Sequence, residues 1–184
     1  MPVQIGAKLD SGFDDPLGML HDCHRRIERF LVILCDVPER ARSRSLTSEE
    51  AAAVRTALHY FREGGRRHTT DEEESLFPRM RDKMRDSSSS AALVPLNHLE
   101  DDHRQAGQLH DEVDRLYSAW LSSGALTPDQ EQALLEKTRR LRGLYAEHIQ
   151  AEETAIFPQA ARLLDRDTIA AIGAEFKARR LAKG

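Results

Sequence analysis

From Leu17 onward the chain sets apolar residues at three-and-four spacing and interrupts them with short polar breaks, a period of amphipathic helices and not of strands. Leu17, Leu20, His24, Ile27, Leu31 and Leu34 share one such face. Asp15 and Pro16 before it read as an N-cap and a first helical proline. This first helix is expected to end before Pro38, because an interior proline removes a backbone hydrogen bond and crowds the preceding turn. After a polar connection from Glu39 to Leu46, Thr47 and Glu50 form a capping-box signature. The second helix runs from there to about Met84, with Val54, Leu58, Phe61, Gly65, His68, Glu72 and Leu76 inward and Pro78 disturbing its last turns. Four serines, Ser87 to Ser90, mark a loop.

A third helix begins near Pro95, carries Leu99, His103, Ala106, His110, Val113, Tyr117 and Trp120 on one face, and ends near Gly124. Thr127, Pro128 and Gln130 supply a second capping box. The fourth helix turns Leu134, Thr138, Leu141, Tyr145, His148, Glu152 and Ile156 inward. Asp165 to Asp167 break the pattern, and a short amphipathic helix with Ile169, Ile172, Phe176 and Leu181 follows. Four long helices joined by short polar loops predict an all-α, antiparallel up-down-up-down four-helix bundle over residues 13–165. Residues 166–184 form a C-terminal helical appendage in this reading.

Composition agrees with a helical domain of 184 residues: 40% hydrophobic, 32% charged and only 5% aromatic. A net charge of −4, with no basic stripe, argues against a nucleic-acid partner. No apolar run is long enough to span a bilayer and the first ten residues lack a signal-peptide core, so a cytoplasmic protein is expected. Cys23 and Cys35 lie twelve residues apart on one helix, roughly 18 Å along its axis. That is too far for a disulfide, and reduced thiols suit the same compartment.

Candidate chemistry comes from what interrupts the apolar stripes. HTTDEEESLFP at His68 and HIQAEETAIFP at His148 repeat one pattern eighty residues apart, and DCHRRI around His24 recurs 79 residues later as DDHRQA around His103. Two helical hairpins therefore read as copies of each other. Residues four apart share a helix face, so His68 with Glu72 and His148 with Glu152 each aim an imidazole and a carboxylate the same way. His103 and His148 lie 19 and 21 residues from the turn between their helices, which brings them level in an antiparallel pair. Burying four imidazoles and two carboxylates is costly unless something satisfies them. Together His24, His68, Glu72, His103, His148 and Glu152 make a site for two metal ions, the histidines terminal and the glutamates able to bridge. The mixed nitrogen and oxygen set points to iron, with manganese or zinc as competitors.

These stretches, with DPLGMLHDCHRRI and HLEDDHRQ, resemble the hemerythrin-like, or HHE cation-binding, family from Asp15 to about Leu164. The resemblance implies a four-helix bundle around a non-haem di-iron centre, oxo- or hydroxo-bridged, with the same six residues as ligands. Two departures from the oxygen-carrying hemerythrins bear on function. Leu99 stands where those proteins place a histidine four residues before His103, and Glu152 and Glu153 stand where they use an aspartate five residues after the fourth-helix histidine. These differences favour sensing or redox chemistry over reversible oxygen carriage.

The expected partner is a small ligand, oxygen, nitric oxide or peroxide; no protein partner is indicated. Two other readings stay open: a di-iron peroxidase, catalase or ferroxidase, and an interaction module that the metal merely stabilises. Around the six, Glu73, Glu74 and Glu153 read as a solvated acidic face, or as carboxylates beside a ligand that steer cations inward or coordinate, and Cys23 as a small packing residue or a redox-active thiol. His98 falls off the ligand face, and His59 and His110 lie too far along the axis to coordinate. His21 reads equally as a surface residue or a neighbour of a ligand, and Tyr145 as a hydrogen-bonding or a packing residue.

Overall fold

The computed structural model describes residues 10–42, 44–85 and 94–182. The serine loop lies outside these. The described residues form helices α1 (Pro16–Ala41), α2 (Ser48–Tyr60), α3 (Arg66–Asp71), α4 (Phe77–Arg85), α5 (Val94–Ser123), α6 (Pro128–Ala151), α7 (Phe157–Leu163) and α8 (Arg166–Leu181). Short segments of π-helix join some of them: π1 (Phe61–Gly65), π2 (Glu72–Leu76) and π3 (Glu152–Ile156). No strand occurs among the described residues.

The helix starts follow the local chemistry. Asp15 accepts from the Gly18 N–H at 3.0 Å ahead of Pro16. Thr47 with Glu50 and Thr127 with Gln130 close complete capping boxes, and Asp165 caps α8 through the Thr168 N–H at 2.8 Å. The expected stop before Pro38 does not occur, and α1 continues to Ala41 before Arg42 turns left-handed. Proline leaves the carbonyl four residues back without its donor. That carbonyl belongs to Leu34, and Tyr117 donates its buried hydroxyl to it at 2.7 Å. A tertiary contact thus removes the cost that makes proline a helix stop.

Adjacent helices pair with residue numbers running in opposite directions. Along α1 and the α6–π3 rod, His24 meets Glu152 while Cys35 meets Thr138. Along α5 and α6, His103 meets His148 and Glu112 meets Lys137. Along the α2–α4 rod and α5, Arg62 meets Asp114 and Glu73 meets His103.

Two apolar cores result. One contains Ile27, Leu34, Val54, Val113, Trp120 and Leu141; the other contains Leu20, Leu76, Phe77, Met80, Ile156 and Phe157. Where one core gives way to the other along each long rod stand His24, His68 with Glu72, His103, and His148 with Glu152. Helix α8 completes the second core with Ile172 and Phe176, both fully buried. Gly173 lets it approach the segment before α1, since a Cβ there would collide with the Phe13 carbonyl. Leu181, expected on the apolar face of α8, is largely exposed.

Candidate metal centre

Each paired ligand sits where the helix changes winding. The Phe77 N–H reaches back five residues to the Glu72 carbonyl, and the Phe157 N–H does the same to Glu152. Proline follows each phenylalanine and has no N–H to continue the ordinary ladder, which favours a change of winding in the turn before it. The Phe-Pro tail of the repeated motif is therefore more than helix punctuation. It accompanies a widened turn that begins at the glutamate, a feature that recurs at functional sites.

All six residues come together. His24, His68, Glu72 and Glu152 form one group whose ligand atoms lie within 4.8 Å of one another, and Glu72, His103, His148 and Glu152 form a second. Glu72 spans the two groups, with Oε1 3.5 Å from His68 Nε2 and Oε2 3.3 Å from His103 Nε2. Glu152 Oε2 lies 3.1 Å from His24 Nε2 and 3.3 Å from His148 Nε2. None of the six is more than 9% exposed.

Proximity here is not hydrogen bonding. Both oxygens of Glu72 and of Glu152, and the inner nitrogens of His24 and His68, are buried without an aligned partner. His103 Nε2 and His148 Nε2 face each other at 3.1 Å, an approach that requires a proton or a cation between two lone pairs. Buried polar atoms are ordinarily satisfied. So many orphaned donor atoms aimed at one small volume fit a pair of cations, with Glu72 and Glu152 able to touch both.

Three of the four outer ring nitrogens have partners of their own, and that of His68 has none. Glu73 Oε1 lies 2.8 Å from His103 Nδ1, and Glu153 Oε1 lies 2.8 Å from His24 Nδ1. Asp102 Oδ2 lies 3.4 Å from His148 Nδ1. A carboxylate on the outer nitrogen holds the proton there, leaving the inner nitrogen free to coordinate, and makes it a stronger donor. The expectation of a merely solvated acidic face is thus corrected for Glu73 and Glu153, while Glu74 is exposed. The signal lay in the doubled glutamate of each motif, whose second member serves the single histidine of the other hairpin. The phenylalanines cross over likewise: Phe77 stacks parallel to His103 and Phe157 parallel to His24.

Burial disfavours charge on all six groups, and neighbouring charges then divide them. Glu152 and Glu72 overcome burial at His24 and lift it to about 8. Glu72 and Glu73 lift His103 to about 10 in the same way. Burial, helped by Glu152, pushes Glu72 up, while His24 and His148 outweigh burial at Glu152 and hold it down. Burial and the three other imidazoles keep His68 well below its usual range. A metal binding to these groups would have to displace the protons they hold.

The remaining candidates fall outside the cluster. His98 and His59 are exposed, and Leu99 is buried in the second core where an oxygen carrier has a ligand. His21 Nδ1 lies 3.0 Å from Glu153 at the edge of His24. The Tyr145 hydroxyl is 3.1 Å from His110 Nε2 and so is engaged away from the metal ligands. Tyr145, His110, Phe61, Gly65, Gly107 and His103 help line a cavity of about 360 Å³ between the α2–α3 rod and α5. It reaches one of the ligand histidines from outside. No helix among the described residues is long and apolar enough to cross a membrane.

The sequence model of the hemerythrin HHE cation binding domain matches residues 15–160. An uncharacterized protein of Haemophilus influenzae is 26% identical over 171 residues, covering 93% of this chain and 93% of its own length.

Proposed function

The chain belongs to the hemerythrin HHE cation-binding family, and from that premise we propose that it holds two iron ions and binds or senses oxygen, nitric oxide or peroxide. The observation that carries the reading is the pair of four-residue groups sharing Glu72 and Glu152, with both glutamates' oxygens and the inner nitrogens of His24 and His68 unbonded to any protein group. His24 and His68 would hold one ion, His103 and His148 the other, and the two glutamates would span them. An iron pair supplies open coordination positions and redox chemistry toward these small ligands. Glu73, Glu153 and Asp102 hold the outer imidazole protons, and Phe77 and Phe157 shield the rings of His103 and His24.

The antiparallel contacts described above support an up-down-up-down four-helix bundle as the frame, with α8 packed beside it. The cavity running to His103 favours exchange with an outside ligand over a closed structural metal site. A cytoplasmic location suits the two buried, reduced cysteines. Manganese or zinc would compete for the same donors.

The test is metal analysis of the purified protein after iron-replete expression, with optical spectra of the reduced protein before and after air, nitric oxide or peroxide. About two irons per chain and a near-ultraviolet charge-transfer band that responds to the added ligand are expected. A metal-free protein from iron-replete cells removes the reading. Rapid peroxide turnover moves it to the enzymatic alternative.

A further inference from the structure

The internal repeat makes the two metal positions nearly equivalent, and one substitution spoils the equivalence. Superposing the repeats in sequence matches His24 with His103, Glu73 with Glu153, and Asp102 with Cys23. The first two matches preserve function: each single histidine has a motif glutamate at 2.8 Å on its outer nitrogen. The third does not. Asp102 stands 3.4 Å from the outer nitrogen of His148, whereas the outer nitrogen of His68 is buried with no partner.

The surroundings reinforce the difference. The Cys23 sulfur takes a hydrogen bond from Arg26 Nη2 at 3.3 Å and borders a cavity of about 400 Å³ also lined by Arg67 and Arg180. A thiol is a weak acceptor, so it supplies His68 with none of the donor strength that a carboxylate gives. Guanidinium charges on that side also oppose a further cation, while Asp102 favours one on the other, Glu73 and Glu153 balancing each other across the two halves.

We infer that the two metal positions are unequal: the ion held by His103 and His148 binds first and tightest, and the ion held by His24 and His68 binds last. The inference rests on the proposed dinuclear site and deepens it by ranking its halves. Loss of an outer carboxylate partner typically changes metal affinity about 10–100-fold, and the inequality should be of that size.

Cobalt(II), followed by its visible spectrum, is a suitable probe of the full-length protein. Release by a chelator alone would not decide, since two coupled equal sites also empty in two steps. Matched variants do. His148→Ala should weaken the first equivalent of cobalt by about tenfold or more, while His68→Ala should leave that first equivalent close to wild type and abolish the second. Cys23→Asp should tighten the second equivalent, and Asp102→Asn, at a partly exposed position, should loosen the first; Cys23→Ser should do neither. Equal losses from His68→Ala and His148→Ala overturn the inequality while leaving the dinuclear site standing. Failure of the wild type to bind cobalt at all removes both.

Discussion

The two copies of the eleven-residue motif present the same histidine and glutamate inward but have different backs. In the first copy Asp71 and Ser75 are fully buried under α8. Asp71 accepts from Arg179 Nε at 2.9 Å and Arg180 Nη2 at 2.7 Å, and Glu175 accepts from Ser75 at 2.5 Å and Arg79 at 2.7 Å. In the second copy the matching positions are Ala151 and Ala155, both exposed. Presenting a histidine and a glutamate from a widened turn thus requires only the motif and the facing helices. Clamping it from behind is a separate feature that this chain applies once. The copy whose histidine lacks an outer carboxylate is the one held mechanically.

The largest way to break this asymmetry is to remove the anchor of α8. Phe176 is fully buried in the second core beside Ile172, and large-to-small changes of this kind cost about 3–5 kcal/mol. Phe176→Ala should lower stability by that amount in urea titrations. It should also raise amide exchange in residues 68–76 far more than in residues 148–156. Equal exchange in both copies would mean that α8 does not clamp one of them selectively.

Asp71→Ala is the next step down. It leaves two partly buried guanidinium groups without their common acceptor, and breaking such a cluster costs about 2–4 kcal/mol after allowing for the exposure of the arginines. The mirror change, Ala151→Asp, falls on an exposed helix surface and should stay within about 0.5 kcal/mol of wild type. Thermal melts of the two variants side by side measure the contrast.

Much of this molecule was legible in the sequence because each helix face repeats a simple period. The four long apolar stripes, the two capping boxes and the His–Glu pair of each motif follow from spacing alone, whereas the level of His24 does not. What escaped depended on partners distant in the chain. Pro38 looked like a stop because the donor that rescues Leu34 sits on Tyr117, 83 residues on. Glu73 and Glu153 looked like surface charge because their imidazole partners stand on other helices. Asp71 gives no signal of its own in the helical period, which cannot reveal that Arg179 and Arg180 pair with it.

The smallest effect concerns pH and acts on the clamp alone. The Arg79 guanidinium bonded to Glu175, with help from Ser75 and Arg179, holds this carboxyl below its ordinary value. A carboxylate with a depressed folded pKa stabilises the protein above its unfolded value, about 4.3, and loses that contribution as pH falls through the folded one. Glu175 is partly exposed, so solvent screening limits the gain to about 1 kcal/mol or less. Glu175→Gln should therefore be slightly destabilising near neutral pH, and its difference from wild type should shrink steadily as the pH is lowered past 4. Amide exchange should place the wild-type acid loosening in residues 71–79, with residues 151–159, which lack any such contact to α8, responding less. A neutral-pH difference that persists unchanged into acid would show that Glu175 acts by packing and not by charge.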